Sequence, residues 1–223
     1  VGSLRYNYDT KNLEYYRGNE IGWSQFDLID PDLGGGTGSN TGLGGRAVRA
    51  GGQTPSHTDV IDFFTISTLG DAQDFGDLTV SRFGIGSGSS RTRGMFMGGA
   101  TPTRRNVIQY VTIASTGDAQ DFGDVSTANL ESFQITTSST RGVTAGGYVS
   151  PTFTNVMEYI TVSTLGNSQD FGDYSRYRYT PAHTGNSVRG IIAGGYTPSA
   201  QSDIDYYTIA TLGNTVDFGG DLA

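Results

Sequence analysis

Three sets of side chains in this sequence have chemistry to offer: four arginines, a series of acidic turn residues and a group of tyrosines. Arg46, Arg93, Arg141 and Arg189 each open an Arg-x-x-x-x-Gly-Gly stretch. Guanidiniums gathered on one axis could grip an anionic sugar or a carboxylate. The weightier, structural reading has each Arg held by a carboxylate or by main-chain carbonyls of its own or the next unit. Asp62, Gln109, Glu158 and Asp205 form a second polar column, and Asp74, Asp121, Asp170 and Asp217 each begin Asp-Phe-Gly. Asp71, Asp74 and Asp77 are spaced Asp-x-x-Asp-x-x-Asp, and Asp118, Asp121 and Asp124 repeat that spacing. The third copy reads Asn167, Asp170, Asp173 and the fourth Asn214, Asp217, Gly220. Such oxygen-rich turns could bind calcium. Their spacing matches neither an EF-hand loop nor a nonapeptide repeat, and Asp or Asn at turns more often caps the backbone.

Tyr148, Tyr196 and the cluster Tyr174, Tyr177 and Tyr179 are the candidates for stacking on a sugar ring; the competing reading is packing with a solvated hydroxyl. His57 and His183 occupy non-equivalent repeat positions with no nucleophile nearby, and both are read as loop residues. Cysteine is absent, which excludes disulfides, thiolate metal sites and a cysteine nucleophile. No catalytic residue and no cofactor is assigned.

The elements that must position these residues are repeats. The Gly-Gly pairs recur at 47, 48 and 48 residues and the Asp-Phe-Gly marks at 47, 49 and 47. A fixed period of this length means one supersecondary unit repeated and stacked. In the second copy four strands are expected, at Arg82–Ser87, Arg93–Met97, Val107–Ser115 and Phe122–Thr127, divided by Gly98-Gly99 with Pro102 and by Gly117-Asp118. The third strand aligns as Ile61, Ile108, Met157, Ile204 and Phe63, Tyr110, Tyr159, Tyr206, alternating with Phe64, Val111, Ile160, Tyr207. Both faces are therefore apolar, so both must be covered by neighbours. Helical periodicity is missing. The fold class is all-β, with four-stranded units of about 48 residues arranged as propeller blades.

Residues 1–32 lie outside the repeat and read as a small β-meander, with strands at Leu4–Asn7 and Leu13–Tyr16 and a third piece from Trp23. A meander this small needs a partner. Residues 33–45 hold seven glycines in thirteen positions and read as a linker; residues 46–223 hold four repeats, 46–92, 93–140, 141–188 and 189–223. The chain opens on Val1, and a longer native polypeptide is expected.

Composition narrows the partners. Fourteen basic against 22 acidic residues leave a net charge of −8, with Lys11 the single lysine, which argues against nucleic-acid binding. No apolar run approaches a membrane span, and no signal-peptide pattern is present.

Gly2-Ser3-Leu4-Arg5-Tyr6-Asn7, Asp9-Thr10, Leu13-Glu14-Tyr15-Tyr16, Gly18 and Trp23 resemble a short module of tail-fibre and other virion proteins of tailed phages. Ser138-Ser139-Thr140-Arg141-Gly142, Gly146-Gly147-Tyr148, Tyr206 to Thr211 and Asp74 to Leu78 resemble the Kelch-like propeller repeats of structural proteins from phages of cyanobacteria. A Kelch blade carries a late Trp, where this chain has Phe75, Phe122, Phe171 and Phe218. The resemblance implies a non-enzymatic virion protein: a fibre, spike or capsid-decorating component at the virion surface. Residues 1–32 would bind other virion proteins, the propeller would face outward to a host-surface glycan, and the protein would be oligomeric. A cellular lectin or adhesin is the alternative. A sialidase-like hydrolase, using the Arg column, is a lesser one. The copper site of Kelch-like sugar oxidases needs a cysteine that this chain lacks.

Overall fold

Alternating β-branched and aromatic residues flanked by glycine turns favour extended chain, and among the described residues every regular element is a strand. The computed structural model describes residues 3–7, 12–16, 19, 22–25, 45–66, 68–126, 130–131, 134–149 and 151–222. Among them no helix is long and apolar enough to cross a membrane. The chain divides into two compact units, 1–31 and 32–223.

The first unit is an antiparallel meander of β1 (Leu4–Asn7), β2 (Asn12–Tyr16) and β3 (Trp23–Gln25). The register Leu4↔Tyr15, Arg5↔Glu14, Tyr6↔Leu13 puts the polar pair Arg5 and Glu14 on one face. Arg5 Nε donates to Glu14 Oε2 at 2.7 Å, Asn7 Nδ2 donates to Oε1 at 2.9 Å, and the Arg5 guanidinium lies 4.2 Å over the Trp23 ring. The hydrogen bonds from Asn7 and Arg5 hold the Glu14 carboxyl below its usual range. Leu4, Tyr6 and Leu13 stand exposed on the opposite face.

The second unit is a series of small antiparallel sheets. The first sheet is β4 (Arg46–Gln53), β5 (His57–Thr65) and β6 (Gln73–Asp77). The second runs β7 (Gly86–Ser89), β8 (Arg93–Met97), β11 (Val107–Thr112) and β12 (Gln120–Asp124), with the short ladder β9 (Ala100–Thr101) and β10 (Thr103–Arg104) in its loop. The third runs β14 (Gln134–Thr137), β15 (Arg141–Ala145), β18 (Val156–Thr161) and β19 (Gln169–Asp173). Beside it β13 (Leu130–Glu131), β16 (Tyr148–Val149) and β17 (Thr152–Phe153) make a small sheet. The fourth runs β20 (Ala182–Gly185), β21 (Arg189–Ala193), β22 (Asp203–Thr208) and β23 (Val216–Asp221). The strand expected at Arg82–Ser87 begins only at Gly86, because Arg82 is buried and turns inward. The residues 33–44 of the expected linker, and Thr127 at the end of the expected fourth strand, lie outside the described residues.

Asp-Phe-Gly acquires a structural meaning here. In each sheet the ladder between the third and fourth strands skips the phenylalanine: Ile108 pairs with Gly123 and Gln109 with Asp121, leaving Phe122 as a bulge. Phe75 and Phe171 are skipped in the same way, at Ile61/Asp62 and Met157/Glu158. A bulge re-aims its side chain, and these rings sit edge-on to Phe63, Tyr110 and Tyr159 of their own sheets.

The hydrophobic cores lie between successive sheets rather than within them. Ile61, Phe63, Phe75 and Leu78 of the first repeat pack with Phe96, Val111 and Ala119 of the second. Phe122 and Val125 then join Ile135, Ile160 and Val162 of the third, and Phe171 and Tyr174 join Ile192, Tyr207 and Ile209 of the fourth.

A backbone seam runs beside each core. Gly117 N donates to Phe75 O at 2.7 Å and Ala119 N to Asp77 O at 2.8 Å. The second seam repeats this with Gly166 on Phe122 and Ser168 on Asp124, the third with Gly213 on Phe171 and Thr215 on Asp173. The approach is so close that a Cβ on Gly123 would lie 2.5 Å from the Gly166 carbonyl carbon, at a φ of +147°. Only glycine fits.

Candidate functional site

Tyr148 opens β16 and Phe153 closes β17, so their register pairing places two aromatic residues opposite one another, with ring centroids 5.7 Å apart. Tyr179, between β19 and β20, and Tyr196, between β21 and β22, form an isolated bridge, each amide donating to the other's carbonyl at 3.0 Å. The Tyr179 ring lies 6.0 Å from both Tyr148 and Phe153. With Thr180 these four rings line an open concavity of about 450 Å³. Arg104 of β10 sits over Tyr148, its guanidinium carbon 4.4 Å from the ring centroid.

Two features fix this wall. Arg178, next to Tyr179, is fully buried. Its Nη1 donates to Gly194 O and Asp203 O, and its Nη2 donates to Asp205 Oδ2 at 2.8 Å. Thr180 has a φ of 49°, the one non-glycine residue in the left-handed region among those described. A β-branched residue in that region is strained by about 1–2 kcal/mol, and this one stands on the rim of the concavity.

The structure thus gathers Tyr148, Tyr179 and Tyr196 and leaves two other tyrosines out. Tyr174 is buried in the core between the third and fourth sheets, and its hydroxyl donates to Arg178 O at 3.0 Å. Burial pushes its phenol well above the usual range. Tyr177 is exposed and does not line the concavity. Phe153, Thr180 and Arg104 were not flagged by the sequence. They fall in loops where the repeats diverge, so no column of the alignment marks them.

The arginine column does not meet at one point. Arg46 Nη1 donates to Ile113 O at 2.9 Å, Arg93 Nη1 to Val162 O at 2.6 Å, and Arg141 Nη1 to Ile209 O and Ala210 O at 3.0 and 2.9 Å. Each reaches forward into the next repeat while stacking on its own third-strand ring, Phe63, Tyr110 or Tyr159. Arg189 stacks on Tyr206 in the same way, at 4.7 Å.

The acidic turns also belong to the seams. Asp118 Oδ1 accepts from Asp77 N at 3.1 Å, and Asn167 and Asn214 accept likewise from Asp124 N and Asp173 N. Asp71, Asp74 and Asp121 are exposed. Among the described residues no group of three His, Cys, Asp or Glu side chains gathers to hold a metal ion. Desolvation, followed by the charges of Asp59, Asp118 and Asp74, raises the Asp77 carboxyl above its usual range. In the fourth repeat an additional glycine precedes the acid, so Asp221 pairs with Asp203 as Asp77 pairs with Val60, and Gly220 is an insertion.

Both histidines lie in strands, not loops: His57 opens β5 and His183 is within β20. The ring nitrogens of His183 are buried, and burial, with Arg178 nearby, pushes it down to about 3, so it is neutral at physiological pH. His57 stacks on Phe83 at 4.7 Å. Arg82, also fully buried, donates to Gly98 O, Val107 O and Gln109 Oε1, and burial pushes its guanidinium down to about 10. Arg82 and Arg178 are 96 residues apart, two repeats, which is the sequence signal that could have paired them.

No protein-family model matches the chain, and no curated protein is significantly similar to it.

Proposed function

We propose that this chain is a non-enzymatic structural protein of a tailed-phage virion, with its repeats forming the blades of a Kelch-like propeller that holds a host-surface glycan. The observation that carries the binding reading is the aromatic concavity of Tyr148, Phe153, Tyr179 and Tyr196. Sugar rings bury their C–H faces on aromatic side chains, while tyrosine hydroxyls and the adjacent Arg104 supply polar contacts at the edge. The lining carries no carboxylate and no histidine, the groups a hydrolytic site would place beside a sugar. The attachment reading is supported by the meander, whose exposed Leu4, Tyr6 and Leu13 offer an apolar face to a partner on the particle.

Two measurements test the proposal. Peptides of the chain should sediment with the virion peak on a density gradient; recovery in soluble or host-envelope fractions would favour a cellular lectin or adhesin instead. Calorimetric titration with host-surface polysaccharide should show binding that Tyr148→Ala weakens about tenfold or more and Tyr177→Ala leaves unchanged. Equal binding by both variants would remove the concavity from the proposal.

A further inference from the structure

Each internal seam has two sides, and among the described residues of the second unit one of each is left open. On the leading side, Phe64 and Ile66 of the first repeat are 47% and 64% exposed. Their counterparts are covered by the preceding sheet: Val111, Ile160 and Tyr207 at 2% each, and Val162 and Ile209 at 3% and 1%, with Ile113 half-buried. On the trailing side, Phe218 and Leu222 of the fourth repeat are 49% and 48% exposed, whereas Phe75, Phe122 and Phe171 are at 2–3% and Leu78, Val125 and Tyr174 at 1–3%. Phe218 nonetheless keeps the edge-on contact with Tyr206 that the buried copies make within their own sheets.

The polar groups of the seam are also present and unused. Arg189 makes no hydrogen bond to a following carbonyl among the described residues, where Arg46, Arg93 and Arg141 each make one. Its counterpart acceptor would be the carbonyl of Ile66. Gly70 holds a φ of +151°, matching Gly117, Gly166 and Gly213 at +143° to +147°, yet among the described residues its amide has no phenylalanine carbonyl to donate to. A Cβ on Gly219 would meet nothing within 4 Å, whereas one on Gly76, Gly123 or Gly172 would collide with the next repeat.

We infer that the trailing face of the fourth repeat docks on the leading face of the first repeat of a second copy of this chain, head to tail. The occupant is argued from continuity: the same junction is built three times inside the chain, and the two open faces are its two complementary halves. A face of this kind is recognised by another repeat, because two of its hydrogen bonds are main-chain to main-chain and one runs from arginine to a carbonyl. The two faces do not serve each other within one copy, since both stand exposed in the same molecule. In the docked pair Arg189 reaches Ile66 O of the second copy, Phe218 O accepts from its Gly70 N, and Phe218 packs on its Phe64 and Ile66. The inserted Gly220 lengthens the edge between Phe218 and Asp221 and lets that edge adjust. Such a contact is heterologous, and it closes into a ring or continues as a filament according to the rotation between copies. This pairing stands whatever the aromatic concavity binds.

The test is light scattering coupled to gel filtration on these 223 residues over a wide concentration range. The expected result is a mass that rises with concentration from the 23.6 kDa of one chain to at least twice that. Phe64→Asp and Phe218→Asp alter exposed positions, so each variant should keep its strand circular dichroism and run as a single chain. Mixed in equal amounts, the two variants should recover a species of two chains, because each still carries the face that the other lacks. Amides of Gly70 and Ala72 should gain exchange protection in the concentrated wild type. A chain that stays single at every concentration, variants that assemble as the wild type does, or a mixture that fails to pair would each overturn the inference.

Discussion

Phe171 and Phe218 occupy the same place in the same Asp-Phe-Gly motif, meet the same kind of tyrosine edge-on at 6.1 Å, and sit beside the same kind of arginine. One is 2% exposed and the other 49%. The difference lies in the neighbour: the fourth sheet covers Phe171, and among the described residues no fifth sheet covers Phe218. In a stacked-repeat fold each sheet completes only its own ladder, and the stabilising burial belongs to the pair. Motif identity therefore tells how a residue is aimed, and the adjoining sheet decides how much that aim stabilises.

This comparison can be broken by substitution at matched positions, read as thermal or denaturant stability in dilute protein. Truncating a buried ring should have the largest effect: Phe122→Ala is expected to cost about 3–5 kcal/mol, and Phe218→Ala less than about 1 kcal/mol. Equal losses would mean that the trailing face is covered in solution. Next come the seam glycines. Gly123→Ala combines left-handed strain with collision against the Gly166 backbone and should cost about 3 kcal/mol, against about 1 kcal/mol of strain alone at Gly219→Ala. Arg141→Met leaves the carbonyls of Ile209 and Ala210 without their donor and should cost about 1–2 kcal/mol, whereas Arg189→Met should be nearly neutral in the single chain.

The smallest effect distinguishes one seam from another. The first seam carries Asp118 where the second and third carry Asn167 and Asn214. The Asp77 carboxyl there is raised in the folded state by desolvation and by Asp59, Asp118 and Asp74. A carboxyl raised on folding favours the folded state when protonated, so its penalty is present at neutral pH and relieved as pH falls through the raised value. Asp118→Asn should therefore raise the melting temperature slightly at neutral pH and make no difference in acid. A gain at low pH instead would show that the charge is not the cause.

The strands were legible because hydrophobic pattern and glycine punctuation agree in every repeat. The columns Ile61, Ile108, Met157 and Phe63, Tyr110, Tyr159 fall on strands at a common register. The aromatic concavity was legible only in part. Tyr148 and Tyr196 follow Gly-Gly pairs and so drew notice, while Phe153 and Thr180 come from loops whose lengths differ between repeats. Tyr174 and Tyr179 are close in sequence but end in a core and on a rim, because Arg178 between them turns inward. The bulge at Asp-Phe-Gly left no compositional sign beyond the glycine. The inserted Gly220 looked like a lost acid until pairing with Asp203 placed Asp221 in its stead.

The seams also set how the second unit would bear a load. Three of them lie in series along the chain, each holding two main-chain hydrogen bonds, one accepted by an Asp or Asn side chain and at least one given by an arginine. Elements in series carry the same force, so tension drawn from one end to the other is limited by the weakest junction and never by their sum.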